Sequence, residues 1–87
     1  MTLKDTIAMM QSDDYKERFE AEYWQTKIRY DKLHDMIVKY EAGTLNFEPK
    51  CSLVMLKKQA KAMGEYLYNL EFRAVIEGVD LNELSGI

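Results

Sequence analysis

Two apolar stripes at alternating steps of three and four run through the chain. One comprises Phe19, Tyr23, Thr26, Tyr30, Leu33, Ile37 and Tyr40; the other comprises Leu53, Leu56, Ala60, Met63, Leu67, Leu70 and Ala74. Such spacing keeps side chains on one face of a helix, whereas a strand turns alternate residues outward. Two helices joined by a short connection bearing Gly and Pro predict an antiparallel hairpin. The expected fold class is therefore all-α, a short N-terminal helix followed by a long two-helix hairpin, assembling as a homo-oligomeric helical bundle.

Punctuation along the chain sets the expected boundaries. Residues 1–87 read as a single domain: a short helix over 2–10, long helix 1 over 13–42, a connection over 43–50, long helix 2 over 51–78 and a tail over 79–87. Thr2 and Asp5 resemble a capping box, and Leu3, Ile7 and Met10 form the face on which so short a helix would dock. Ser12-Asp13-Asp14 supplies a cap and favourable charge for the first long helix, and Gly43 and Gly78 are natural C-terminal caps. Val79 is placed for the apolar contact that accompanies such a cap, and Leu45 and Phe47 are expected to tuck under the hairpin end. Gly64, inside a helix, is either simply tolerated or marks a close approach to the partner helix.

A second apolar set lies outside the seams: Trp24, Ile28, Met36 and Val38 on the first helix, and Val54, Met55, Tyr66, Tyr68, Phe72, Val75 and Ile76 on the second. The chain has 87 residues, 47% of them hydrophobic, more than a single hairpin seam covers. A chain this short buries only about 60–65% of its unfolded surface, so self-association is the simplest way to cover the rest.

The formal charge of −3 disfavours generic binding to duplex nucleic acid. The N-terminus lacks a signal-peptide pattern and no stretch is long and apolar enough for a bilayer, so the expected location is the cytoplasm, with no membrane partner. The one cysteine, Cys51, excludes an intrachain disulfide and reads as a small buried apolar residue rather than a nucleophile. Asp31 and His34 share a helical face, but metal centres of that kind need several more ligands, so neither a metal nor a cofactor is expected. No catalytic motif is present, and the chain is not expected to be an enzyme.

The chemistry that remains is cationic. From Pro49 to Gly64 there is no acid, while Lys50, Lys57, Lys58 and Lys61 concentrate positive charge. On the first helix Lys16, Arg18, Lys27 and Arg29 are interleaved with Tyr15, Tyr23 and Tyr30. Cations beside aromatic rings can hold a phosphate and stack a base at once. The plainer alternative is a solvated face that compensates fifteen acids.

The run Asp14-Tyr15-Lys16-Glu17-Arg18-Phe19-Glu20-Ala21-Glu22-Tyr23 is followed by Lys32-Leu33-His34-Asp35-Met36-Ile37-Val38-Lys39-Tyr40-Glu41, Pro49-Lys50-Cys51 and Gln59-Ala60-Lys61-Ala62-Met63-Gly64-Glu65-Tyr66-Leu67. Together these resemble a family of small proteins from phages and prophages of gut bacteria, related to a protein of the crAss-like phages. More loosely, the hairpin is similar to phage anti-CBASS proteins and some anti-Thoeris proteins, which assemble as hexamers and sequester cyclic oligonucleotide or cyclic ADP-ribose signals without cleaving them. That resemblance implies a phage anti-defence role in the host cytoplasm. In the anti-CBASS type a lysine of the first long helix and an upstream tyrosine contact the nucleotide, and Lys27 and Tyr15 are the equivalents it implies here. Lys58 and Lys61 complete the candidate ligand-binding set. The alternative is a helical module whose apolar faces dock a host or phage protein.

Overall fold

A computed structural model describes residues 1–81 of the chain. Over these residues the fold is all-helical, with α1 spanning Asp5–Met10, α2 Tyr15–Ala42 and α3 Leu53–Glu77. The two long helices lie against each other, and among the described helices α1 packs only on α2. The 28 residues of α2 account for about 42 Å at the α-helical rise, matching the longest dimension of 43 Å.

Each terminus has a chemical cause. The backbone N–H of Thr2 donates to Asp5 Oδ2 at 2.9 Å and that of Asp5 to Thr2 Oγ1 at 3.4 Å, the reciprocal capping pair. The cap of α2 is Asp14 rather than Ser12: its Oδ1 accepts from the Lys16 N–H at 2.9 Å. Ser12 supports the cap from outside, accepting from the Asp14 N–H and donating to Glu17. Ser52 caps α3 by accepting from the Met55 N–H. Gly43 and Gly78 close the two helices at φ +77° and +74°, a region costly for residues with a Cβ. Beyond Gly78 the Val79 N–H donates to the Ala74 carbonyl at 2.9 Å, and the Val79 side chain is buried.

The seam follows the two stripes, but its burial is graded. Phe19, Tyr23, Leu67, Leu70, Ala74 and Val79 form the core at the end away from the connection, with Trp24, Tyr30 and Leu81 packed around it. Towards the connection only Ile37 is fully buried, and Leu33, Tyr40, Leu53 and Leu56 are half-covered. Phe47 does not tuck under this end; it stands 56% exposed.

The docking of α1 also departs from the sequence pattern. Its buried residue is Thr6, whose hydroxyl donates to the Leu3 carbonyl at 2.6 Å and accepts from Gln25 Nε2 at 2.9 Å. Ala21, one turn before Gln25 on α2, is also fully buried. Leu3, Ile7 and Met10 consequently face solvent.

Candidate functional site

Four cross-helix contacts fix the hairpin register. In order along α2 they are Tyr15 with Glu77, Tyr23 with Glu71, Tyr30 against Gly64, and Glu41 with Lys57. Any site on the hairpin inherits this antiparallel alignment.

Tyr15 is engaged within the chain. Its hydroxyl donates to Glu77 Oε1 at 2.9 Å and accepts from Arg73 Nη2 at 2.8 Å, while Arg73 Nε binds Glu77 Oε2 at 3.1 Å. Arg73 also lies over the Phe19 ring, 5.0 Å from its centroid. The bond from Tyr15 holds the Glu77 carboxyl below its ordinary value, and the same bond raises the Tyr15 phenol above its own. Nearby, Lys16 Nζ donates to the Gly78 carbonyl and Arg18 Nη1 to the Ser12 carbonyl. These cations serve the ends of helices.

Lys27 is likewise occupied. Its ammonium pairs with Asp31 Oδ1 at 3.0 Å and lies 5.9 Å from the Tyr30 ring centroid. The Tyr30 ring in turn stacks on His34 at 6.0 Å. Twelve residues separate Tyr15 from Lys27, about 18 Å along the helix, so one small ligand cannot bridge both directly within one chain.

Lys58 and Lys61 differ. Both are exposed on α3, and neither forms an ion pair among the described residues. Lys57, by contrast, is held by Glu41 at 2.6 Å. From the register, Lys61 stands about 9 Å along the hairpin from the level of Lys27, and Lys58 about 13 Å. The cationic set therefore divides into engaged members, Lys27 and Lys57, and open members, Lys58 and Lys61.

A cleft of about 450 Å³ lies between α2 and the connection, lined by Lys32, Asp35, Met36 and Lys39 with Thr44 to Phe47. Its field suits an anion poorly. It stands at the carbonyl end of α2, where the helix dipole is negative, and Lys39 is already paired with Asp35 at 3.2 Å. A smaller hollow of about 260 Å³ opens beside Tyr23, Trp24 and Leu81. The Trp24 Nε1 atom is buried with no hydrogen-bond partner among the described residues. Tyr23 donates to Glu71 Oε2 at 2.7 Å, and its phenol is pushed well above the ordinary range, first by burial and then by that carboxylate. Among the described residues no three His, Cys, Asp or Glu side chains converge as metal ligands would. Cys51, expected in the interior, is exposed because it precedes the Ser52 cap, outside the seam.

All of α2, the connection and α3 up to Ile76 fall inside one family match. The profile described as Sequestin covers residues 13–76. The chain belongs to the Sequestin family. The matched range omits α1 and the buried Val79, so the hairpin is the unit this Sequestin chain shares with its family. The family description fits a binding, sequestering role rather than catalysis. No curated protein and no solved structure matches the chain. No helix among the described residues is long and apolar enough to cross a membrane.

Proposed function

We propose that this Sequestin chain binds and sequesters a small phosphorylated nucleotide signal, a cyclic nucleotide of host immunity, without cleaving it. In this reading it is a phage-encoded anti-defence protein acting in the cytoplasm of the bacterial host. The observation that carries the reading is family membership across both long helices. Supporting it, Lys58 and Lys61 are open cations in an acidic chain, available to phosphate at no loss of an internal ion pair. Lys27 and Tyr15 join the site only by exchanging Asp31 and Glu77 for ligand, so we assign them the secondary positions. Copies of the chain meeting around one ligand would bring such dispersed cations together.

The test is the native mass of protein purified from cells producing the signal, measured again after unfolding and refolding. Extra mass of nucleotide size, lost on refolding and restored by adding a cyclic nucleotide, is the expected result. Reversing both lysines, Lys58→Glu with Lys61→Glu, should weaken binding about tenfold per site, with reduced salt dependence. A chain with no affinity for any cyclic nucleotide defeats the proposal.

A further inference from the structure

Most of the apolar surplus on α2 is half-covered, since Trp24, Ile28 and Met36 are partly buried by the fold itself. On α3 it is not. Tyr68, Phe72, Val75 and Ile76 are 64%, 55%, 84% and 71% exposed, and their spacing of four, three and one places them on one side of the helix. We propose that this face of α3 pairs with the same face of a second copy. The inference rests on the self-association within the functional reading above and names one surface that contributes to it, separate from the contact that gathers the lysines around ligand.

Three features select a second copy as the occupant. The first is area. At roughly 200 Å² for a whole aromatic side chain and less for the aliphatics, the four residues leave about 450 Å² in water. A monomer rarely keeps more than a few hundred Å² of contiguous apolar surface open. Two such faces with their flanking residues reach the ~1,200 Å² at which specific pairs begin. The second is shape. Phe72, Val75 and Ile76 line a wholly apolar hollow of about 290 Å³, and Tyr68 stands beside it as a knob. A knob and a hole on one face are what an isologous contact needs. A two-fold axis near Phe72 lays Tyr68 of each copy against Ile76 of the other. The Tyr68 and Phe72 rings, 6.3 Å apart, already brace each other. The third is charge. No ionised residue interrupts the stripe, and the neighbouring Arg73 is neutralised within its own chain by Glu77 at 3.1 Å. Juxtaposing two copies therefore buries no unpaired charge. Lys58 and Lys61 lie further towards the N-terminus of α3, so pairing leaves them open at the two ends of the seam.

Sedimentation velocity of the full chain across micromolar concentrations tests the pairing. The wild type is expected to associate, and Val75→Glu, at the most exposed position of the stripe, to weaken association about a hundredfold. Unchanged far-UV dichroism in Val75→Glu separates loss of pairing from loss of fold, and Ile76→Glu provides an independent repeat. Ile7→Glu, on the exposed face of α1, should leave association intact. A wild-type chain that stays monomeric at a hundred times the nucleotide-binding concentration overturns the interface, as does an associated chain indifferent to Val75→Glu and Ile76→Glu. Nucleotide affinity measured on the same samples keeps the two proposals apart, because a monomer that binds ligand defeats only the interface.

Discussion

Gly64→Ala should stabilise the protein, and the sign follows from the space around this residue. A methyl group at position 64 would meet the Tyr30 ring at 3.6 Å and its hydroxyl at 3.8 Å, ordinary van der Waals distances. Nothing must move to accept it. Alanine in a helix interior is favoured over glycine by about 0.8–1.0 kcal/mol, because glycine surrenders more backbone freedom on folding. The added methyl also touches an aromatic face, a gain of a few tenths of a kcal/mol at most. For a domain of this size about 1 kcal/mol raises Tm by about 4–8 °C. Gly78→Ala is the internal control: at φ +74° a Cβ is strained, and that variant should lose about 1–2 kcal/mol. Thermal and urea melts followed by far-UV dichroism read both, at one protein concentration so that association does not intrude. If Gly64→Ala is neutral or destabilising, the helices approach more closely than the Tyr30 contact indicates, or the position must flex. Such a result would refute the reading of this glycine as merely tolerated.

The core, the exposed thiol and the ionisable cluster give further tests. Leu70→Ala, at a side chain only 1% exposed, should destabilise by about 3 kcal/mol, whereas Leu56→Ala at the half-covered end should lose clearly less in the same melts. Equal losses would contradict the graded seam. Cys51 should react with a thiol reagent in the folded protein as fast as in urea, and marked protection would place it elsewhere. Since Glu77 is lowered from 4.5, its bond from Tyr15 contributes above that pH and is lost as pH falls through the lowered value. Since Tyr15 and Tyr23 are raised from 10.0, their contributions are complete below pH 10.0 and lost as pH rises through the raised values. An ultraviolet titration should show late-ionising tyrosines, one fewer in Tyr15→Phe.

What could be read in the sequence depended on whether a contact is local. The 3–4 periodicity located both seams because every stripe residue repeats the same geometric instruction, and Gly43 and Gly78 act within their own turns. Val79 was legible for the same reason. The Lys27–Asp31 pair is also local, four residues apart, and charge spacing alone could have flagged Lys27 as occupied. Tyr15 could not be judged in this way. Its partner Glu77 lies 62 residues away, and only the hairpin register brings the two together. The docking face of α1 was misleading because hydrophobicity favoured Leu3, Ile7 and Met10. The bond from Gln25 to the buried Thr6 decided otherwise. Phe47 and Cys51 show the complementary failure: in a connection, no period says which way a side chain points.

The chain contains a single tryptophan, and its position gives the protein a built-in optical reporter. Trp24 meets Tyr23 edge-on at 5.1 Å and lines a hollow with Val75, Val79 and Leu81. Its emission therefore samples one junction, where α2, the last turns of α3 and the segment after Gly78 converge. Because the buried indole N–H has no partner among the described residues, a change of polarity at that spot meets no competing hydrogen bond from them. Val75 belongs both to this hollow and to the outer stripe of α3. Events on the outer face should thus register as a shift in native fluorescence without a dye or tag, while events at Lys58 and Lys61 should leave the signal still.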